Sequence, residues 1–209
     1  DNGGGGAFVK DDRCYADAND GFGQLSVFSN HPNQNYGFYG RQNTGSTSCF
    51  IAGTKVRMAD GTDKNIEDVV VGDVVKGHNG DNTVIELDWV TLGDRKLYTF
   101  NDSEHYFFTS EHPFMTEEGW KSVKPEKTKE RDGVELYDQL KGELKIGDKL
   151  VTSDGSIEIT NIKSKEINNP EMPLYNFNVS NDNSYIADGY IVHNKGGEGG
   201  NSGNSGNSG

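Results

Sequence analysis

From Cys49 onward the sequence is a succession of short runs rich in β-branched and aromatic residues, cut apart by turn-forming pairs such as Asp60-Gly61, Gly72-Asp73, Asn79-Gly80 and Asp154-Gly155. This rhythm constrains the fold more than any other feature. A run that stops at a tight turn after a few residues can complete a strand but not an amphipathic helix. The strand candidates begin around Ile51, Val56 and Met58 and at Val69 to Val75. They continue with Thr83 to Leu92, Lys96 to Phe100, His105 to Thr109, Asp148 to Thr152, Ile157 to Ile162, Leu174 to Val179 and Ser184 to His193. Only Glu135 to Leu140 reads as a short helix, so an all-β domain of many short strands is expected.

Two of these stretches repeat each other. Gly72-Asp73-Val74-Val75 followed by Asn79-Gly80 returns 75 residues later as Gly147-Asp148-Lys149-Leu150 followed by Asp154-Gly155, with a β-rich run after each. Two related halves of one β-fold would leave such a trace. The glycines mark the limits of this region: of 28, nine precede residue 49 and seven follow residue 194. Residues 1–48 therefore read as a flank, either a small β-rich module or an irregular one. Residues 195–209, with Asn-Ser-Gly triplets and almost no apolar side chain, read as a flexible linker or a tag. The 146 residues between are enough to bury a core.

A formal charge of -13 argues against a phosphate-tracking surface, so no nucleic-acid partner is expected. There is no apolar run long enough to span a bilayer, and the opening Asp1-Asn2 and four glycines resemble no signal peptide; a soluble piece of a longer chain is expected. Two cysteines, Cys14 and Cys49, do not make a disulfide framework. The histidines His31, His78, His105, His112 and His193 show no metal-ligand spacing, so no metal and no cofactor is expected. Cys14 reads as an incidental thiol and His105 as a strand residue on a partly exposed face.

Three blocks within residues 49–194 carry a family resemblance. The first opens at Cys49 and contains Gly53-Thr54-Lys55-Val56, Asp60-Gly61, Ile66-Glu67-Asp68-Val69 and Gly72-Asp73-Val74-Val75. The second is Thr109-Ser110-Glu111-His112, and the third is Asn183 to Asn194, ending in His193-Asn194. In this order they resemble inteins and bacterial intein-like domains, which share the Hint fold with hedgehog autoprocessing domains. The resemblance implies an all-β Hint horseshoe with pseudo-two-fold halves, in which Cys49 and Asn194 lie close together near His112.

It also implies single-turnover autoproteolysis in cis. The Cys49 thiol would attack the Ser48 carbonyl and turn the peptide bond into a thioester. Thr109 would orient that bond, and His112, with an ordinary pKa near 6.5, would move the proton from the thiol to the departing amine. At the other end the Asn194 side-chain amide would close a succinimide on its own carbonyl and release Lys195, helped by His193. Eleven residues before Asn194, where the family often has His or Asp, stands Asn183, and Asp182 beside it could serve in its place. The larger departure is Lys195, where standard inteins have Cys, Ser or Thr.

Cleavage at both ends with minor splicing is therefore expected, its substrate the chain's own flanks and its acyl acceptors thiols, water or amines. The domain would act as a monomer with a reduced Cys49. Two alternatives are an idle Hint-fold spacer in a repetitive fibre or adhesin, and a hedgehog-like acyl transfer to an external nucleophile. A homing endonuclease is excluded by length, because Met115 to Asp148 is too short to hold one.

Overall fold

The computed structural model describes residues 8–10, 13–15, 40–42 and 48–194. The flank contributes β1 (Phe8–Lys10), β2 (Arg13–Tyr15) and β3 (Gly40–Gln42). A first half follows with β4 (Phe50–Ile51), β5 (Lys55–Arg57), β6 (Asp63–Asn65), a 3-10 turn at Ile66–Asp68, β7 (Val74–Lys76) and β8 (Asp81–Thr91). Next come β9 (Leu97–Phe100), β10 (Phe108–Thr109), β11 (Phe114–Thr116) and β12 (Gly119–Lys121), then α1 (Pro125–Asp132) and α2 (Val134–Gln139). The chain closes with β13 (Lys149–Thr152), β14 (Gly155–Glu158), β15 (Ile162–Lys165), β16 (Pro173–Val179), β17 (Ser184–Ala187) and β18 (Tyr190–His193).

Two sheets carry the domain. One runs β15-β9-β10-β4-β16-β8-β3 with β7 also on β8; the other runs β12-β11-β13-β18-β17-β5-β6 with β14 also on β13. Among the described residues the strands pair antiparallel except flank strand β3 with β8, where Arg41 stands in register with Asp88. Among the described residues, no helix is long and apolar enough to cross a membrane.

The repeat seen in the sequence is a structural one. Gly72 N donates to Val84 O and Val84 N to Asp73 O, each at 2.8 Å; Gly147 N donates to Ile159 O and Ile159 N to Asp148 O, again at 2.8 Å. The Asp73 carboxylate accepts the Val70 N–H at 3.0 Å, and the Asp148 carboxylate the Lys145 N–H at 3.0 Å. Both turns need glycine, because Gly72 sits at φ 94° and Gly147 at φ 98°, where a Cβ is strained. Each turn feeds a hairpin, β7–β8 or β13–β14, and each half has an earlier hairpin as well, β5–β6 or β11–β12.

Between the sheets lies a core built on Phe50, Phe100, Phe107, Phe108, Phe114, Phe177 and Tyr185, all buried. Phe50 stacks on Phe107 with centroids 5.9 Å apart, and Phe108 meets Phe114 edge-on at 4.7 Å. Cys49 lies in a second cluster with Val90, Leu92, Leu97 and Leu174. The structure differs from the sequence reading at several places. Ile157 to Ile162 divides between β14 and β15 with residues 159–161 in neither, Val69 to Val75 is strand only at its end, Ser184 to His193 is the β17–β18 hairpin, and β11, β12 and most of β15 lie outside the expected strands. Residues 103–107 form no strand, so His105 is a surface side chain, with Nε2 3.1 Å from Asp188 in the β17–β18 turn. The helical segment is also longer than expected: α2 covers most of Glu135 to Leu140, but α1 precedes it.

Candidate functional site

The short strand β4 starts one residue after Cys49 and pairs with β10 on one side and β16 on the other, which brings the Ser48–Cys49 peptide between two elements distant in sequence. From β10, Thr109 Oγ1 accepts the Cys49 N–H at 3.1 Å, and the Thr109 backbone N–H donates to Cys49 O at 3.2 Å. From β16, Asn176 Nδ2 donates to the Ser48 carbonyl at 2.7 Å. The amide orientation of Asn176 is fixed by its other end, since Oδ1 accepts from Tyr185 Oη at 2.9 Å and from Phe177 N at 2.8 Å. Burial first, and the neighbouring Cys49 second, push the Tyr185 phenol well above its usual range, so it stays a donor.

The third grip comes from α1. Ser48 N donates to both carboxylate oxygens of Asp132, at 3.2 and 3.3 Å, and Ser48, Cys49 and Asp132 are all buried. Burial, then the negative charge of Glu111, push Asp132 up to about 7. Glu111 belongs to the Thr109–His112 turn and forms a buried ion pair with Arg95 at 2.8 Å. The same turn is fastened to the helix by Lys124 N on Ser110 O at 2.9 Å and by Thr128 Oγ1 on Glu111 O at 2.7 Å.

His112 closes that turn and connects it to the far end of the domain. Its ring lies 4.0 Å from the Phe50 ring, and Nε2 is 3.0 Å from the His193 carbonyl. A carbonyl can only accept, so Nε2 carries the hydrogen and Nδ1 presents a lone pair; Nδ1 is buried with no hydrogen-bond partner. Burial lowers His112 to about 3, against the ordinary value near 6.5 anticipated from the sequence, so the ring is neutral at rest.

At the C-terminal end, His193 Nδ1 is 2.9 Å from the carbonyl oxygen of Asn194 and by the same reasoning donates to it. Burial lowers His193 as well, favouring the neutral ring. The Asn194 side-chain nitrogen makes long contacts of 3.5 Å to Val179 O and to Asn183 Oδ1, while Asn194 N donates to Asn183 O at 2.7 Å. Asn183 is thus the neighbour whose side chain meets that of Asn194. Asp182 is turned elsewhere, accepting from Asn79 N, Asn82 Nδ2 and Ser184 N and Oγ, and acts on His193 only through its charge.

Cys49, Thr109, His112, His193 and Asn194 are therefore linked through one turn, with Ser48 and Asn183 at the edges; Lys195 lies outside the described residues. Sequence reasoning missed Asn176 and Asp132. Among the described residues, no three His, Cys, Asp or Glu side chains are grouped to hold a metal ion.

Comparison with known proteins agrees with this architecture. Residues 49–114 match the Hom_end-associated Hint family. No curated protein matches the chain. Among solved structures, the chain is similar to the gp41-1 intein, with 22% identity over 71% of this chain and 100% of that one and a TM-score of 0.52. It is also similar to the bacterial intein-like domain from Clostridium thermocellum, with 24% identity over 71% of this chain and 100% of that one and a TM-score of 0.53. With two mainly antiparallel sheets and a repeated Gly-Asp turn, the chain carries a domain of the Hint fold, the fold of inteins and bacterial intein-like domains.

Proposed function

We propose that residues 49–194 are a self-processing domain that cuts the Ser48–Cys49 and Asn194–Lys195 bonds in cis, as a monomer. One observation carries this reading. The groups gripping the Ser48–Cys49 peptide and those touching the Asn194 carbonyl form a continuous chain of contacts through Thr109, His112 and His193.

In the first step the Cys49 sulfur adds to the Ser48 carbonyl carbon, and the oxyanion develops against Asn176 Nδ2, already aimed at that oxygen. The thiol proton passes to His112 Nδ1 and then to the Cys49 nitrogen, which leaves as the C–N bond breaks and the thioester forms. A ring held neutral by burial suits this relay, because the imidazolium it briefly becomes is a strong proton donor. Thr109 holds the departing nitrogen throughout.

In the second step Asn194 Nδ2 adds to the Asn194 carbonyl carbon, whose oxygen receives the His193 Nδ1 hydrogen. The bond to Lys195 breaks as the proton shed by Nδ2 passes to its nitrogen, which leaves as the α-amine, and a succinimide remains with the His193 hydrogen back on the ring. Asn183 Oδ1 orients the attacking amide. Lys195 has no hydroxyl or thiol to take the acyl group, so the thioester is resolved mainly by water or an added thiol, with a minor ligated product through the new α-amine.

Intact-mass spectrometry over time tests this. Pieces 1–48, 49–194 and 195–209 are expected, and thiols should accelerate the first cut. Cys49→Ala should keep the Ser48 junction whole while the Asn194 cut continues; release of residues 1–48 from that variant would refute the thioester route. Lys195→Cys should raise the ligated fraction, and no rise with both cuts intact would mean that the ends do not share a site.

A further inference from the structure

The self-processing reading gives no role to Asp132, yet this carboxylate is buried, lies on a helix far from either block end, and takes the backbone N–H of the residue before Cys49. It is held in place. Lys124 and Thr128 fasten its helix to the Thr109–His112 turn, and Glu111 with Arg95 lies within electrostatic reach. Ser48 is thus gripped at both ends of its backbone, N–H by Asp132 and carbonyl by Asn176, which restrains the rotation of the residue that presents this carbonyl to the sulfur. Its side chain is wholly buried, and Asp132 is the group that its hydroxyl also acts on.

We propose that Asp132 is a positioning residue that reads the residue before Cys49 through its backbone N–H, making this position a closed subsite for a small residue other than proline. The inference rests on the self-processing reading for its consequence, not for its geometry. Proline lacks the N–H that Asp132 accepts. Alanine keeps the N–H and is small enough for the buried site, so it fits there too.

The grip is tested first without any cleavage, in the full chain carrying Cys49→Ala and Asn194→Ala. The Ser48 amide should exchange its hydrogen slowly. Asp132→Ala should speed that exchange by about tenfold or more, as for loss of a hydrogen bond to a charged group, while the Val192 amide is unchanged; Asp132→Asn, which keeps an acceptor oxygen, should restore part of the protection. A Ser48 amide that exchanges like an unstructured one, or that ignores Asp132→Ala, overturns the proposal.

The consequence is tested in the cleaving chain. Asp132→Ala and Ser48→Pro should each slow thiol-dependent release of residues 1–48 by about tenfold or more, the double variant should be no slower than Ser48→Pro, and cleavage after Asn194 should stay within about twofold. Ser48→Ala should cleave as fast as the parent. Additive slowing, or an equal fall at both junctions, overturns the proposal. A parent chain with no thiol-dependent release would instead refute the self-processing reading, and amide exchange would still decide the grip.

Discussion

In the first half of the domain the chain passes from the β5–β6 hairpin to the Gly72-Asp73 turn through one 3-10 turn, whereas in the second it passes from β11–β12 to Gly147-Asp148 through two helices. Both connections do the same mechanical job. Ile66 N bonds Thr54 O at 2.8 Å and Glu67 Oε2 takes the Gly53 N–H at 2.7 Å, tying the first connection to the loop after β4. In the second half, Lys124 and Thr128 tie α1 to the loop after β10. The longer connection then does something more: of its two buried side chains, Thr128 ties it to the turn and Asp132 reaches the backbone N–H of Ser48. A repeated scaffold supplies rigidity, and what is grafted into one copy supplies the asymmetry that chemistry needs.

The halves also differ in how deeply they bury the same turn. Lys121 and Asp148 pair at 3.0 Å with side chains 4% and 5% exposed, while Lys64 and Asp73 pair at 2.8 Å with 32% and 19% exposed. Asp148→Ala leaves the buried Lys121 ammonium with only the exposed Glu118, 3.1 Å away, and should cost about 3 kcal/mol, whereas Asp73→Ala should cost about 1 kcal/mol. Urea unfolding of the Cys49→Ala, Asn194→Ala chain measures both, and equal losses would erase the distinction. Next in size, Asn176→Ala should slow thiol-dependent release of residues 1–48 by about 10²- to 10³-fold, the usual cost of losing one oxyanion donor, with little change after Asn194.

Acidity probes the buried groups of the second half, where His112 and Asp132 respond with opposite signs. His112 is lowered to about 3, so the unfolded chain binds its proton first and stability is lost as pH falls from about 6.5 towards 3. Asp132 is raised from 3.8 to about 7, so the folded chain holds its proton longer and stability is lost as pH rises through that window. Asp132→Asn should therefore make stability climb more steeply between about pH 4 and 7, and His112→Gln should flatten the climb, although His193 adds to it in the same direction. Urea midpoints across this range would show it; identical slopes for the parent and Asp132→Asn would mean that the carboxyl is not buried as described. The smallest effect is expected from Tyr185→Phe. It removes one of two donors holding Asn176 and should slow the N-terminal cut by about tenfold or less.

Much of the fold was legible before any coordinate. Short β-branched runs between glycine turns gave most of the strands, though not β11 and β12, and the 75-residue echo gave the two halves, because turns at positive φ restrict residue type and strands restrict the pattern around them. The helix α1 was not legible: Pro125-Glu126-Lys127-Thr128-Lys129-Glu130-Arg131-Asp132 has no apolar stripe, and its inward positions four residues apart are a threonine and an aspartate. Periodicity methods look for hydrophobic faces, and this face is polar.

For the site, the sequence alone determined which residues could be nucleophile, relay and cyclising amide, since Cys49, His112 and Asn194 stand in blocks whose order is a property of the chain. Only the tertiary structure decided what holds the Ser48–Cys49 bond. Asn176 meets it because β16 pairs with β4 in the register that sets Tyr175 opposite Phe50, which brings the next residue alongside Cys49. Asp132 meets the Ser48 N–H beside it because a polar helix face packs on the Thr109–His112 turn. A lone polar residue in a strand or a charged helix carries no local signal; its partner is fixed by pairing register and packing between segments 128 and 84 residues apart.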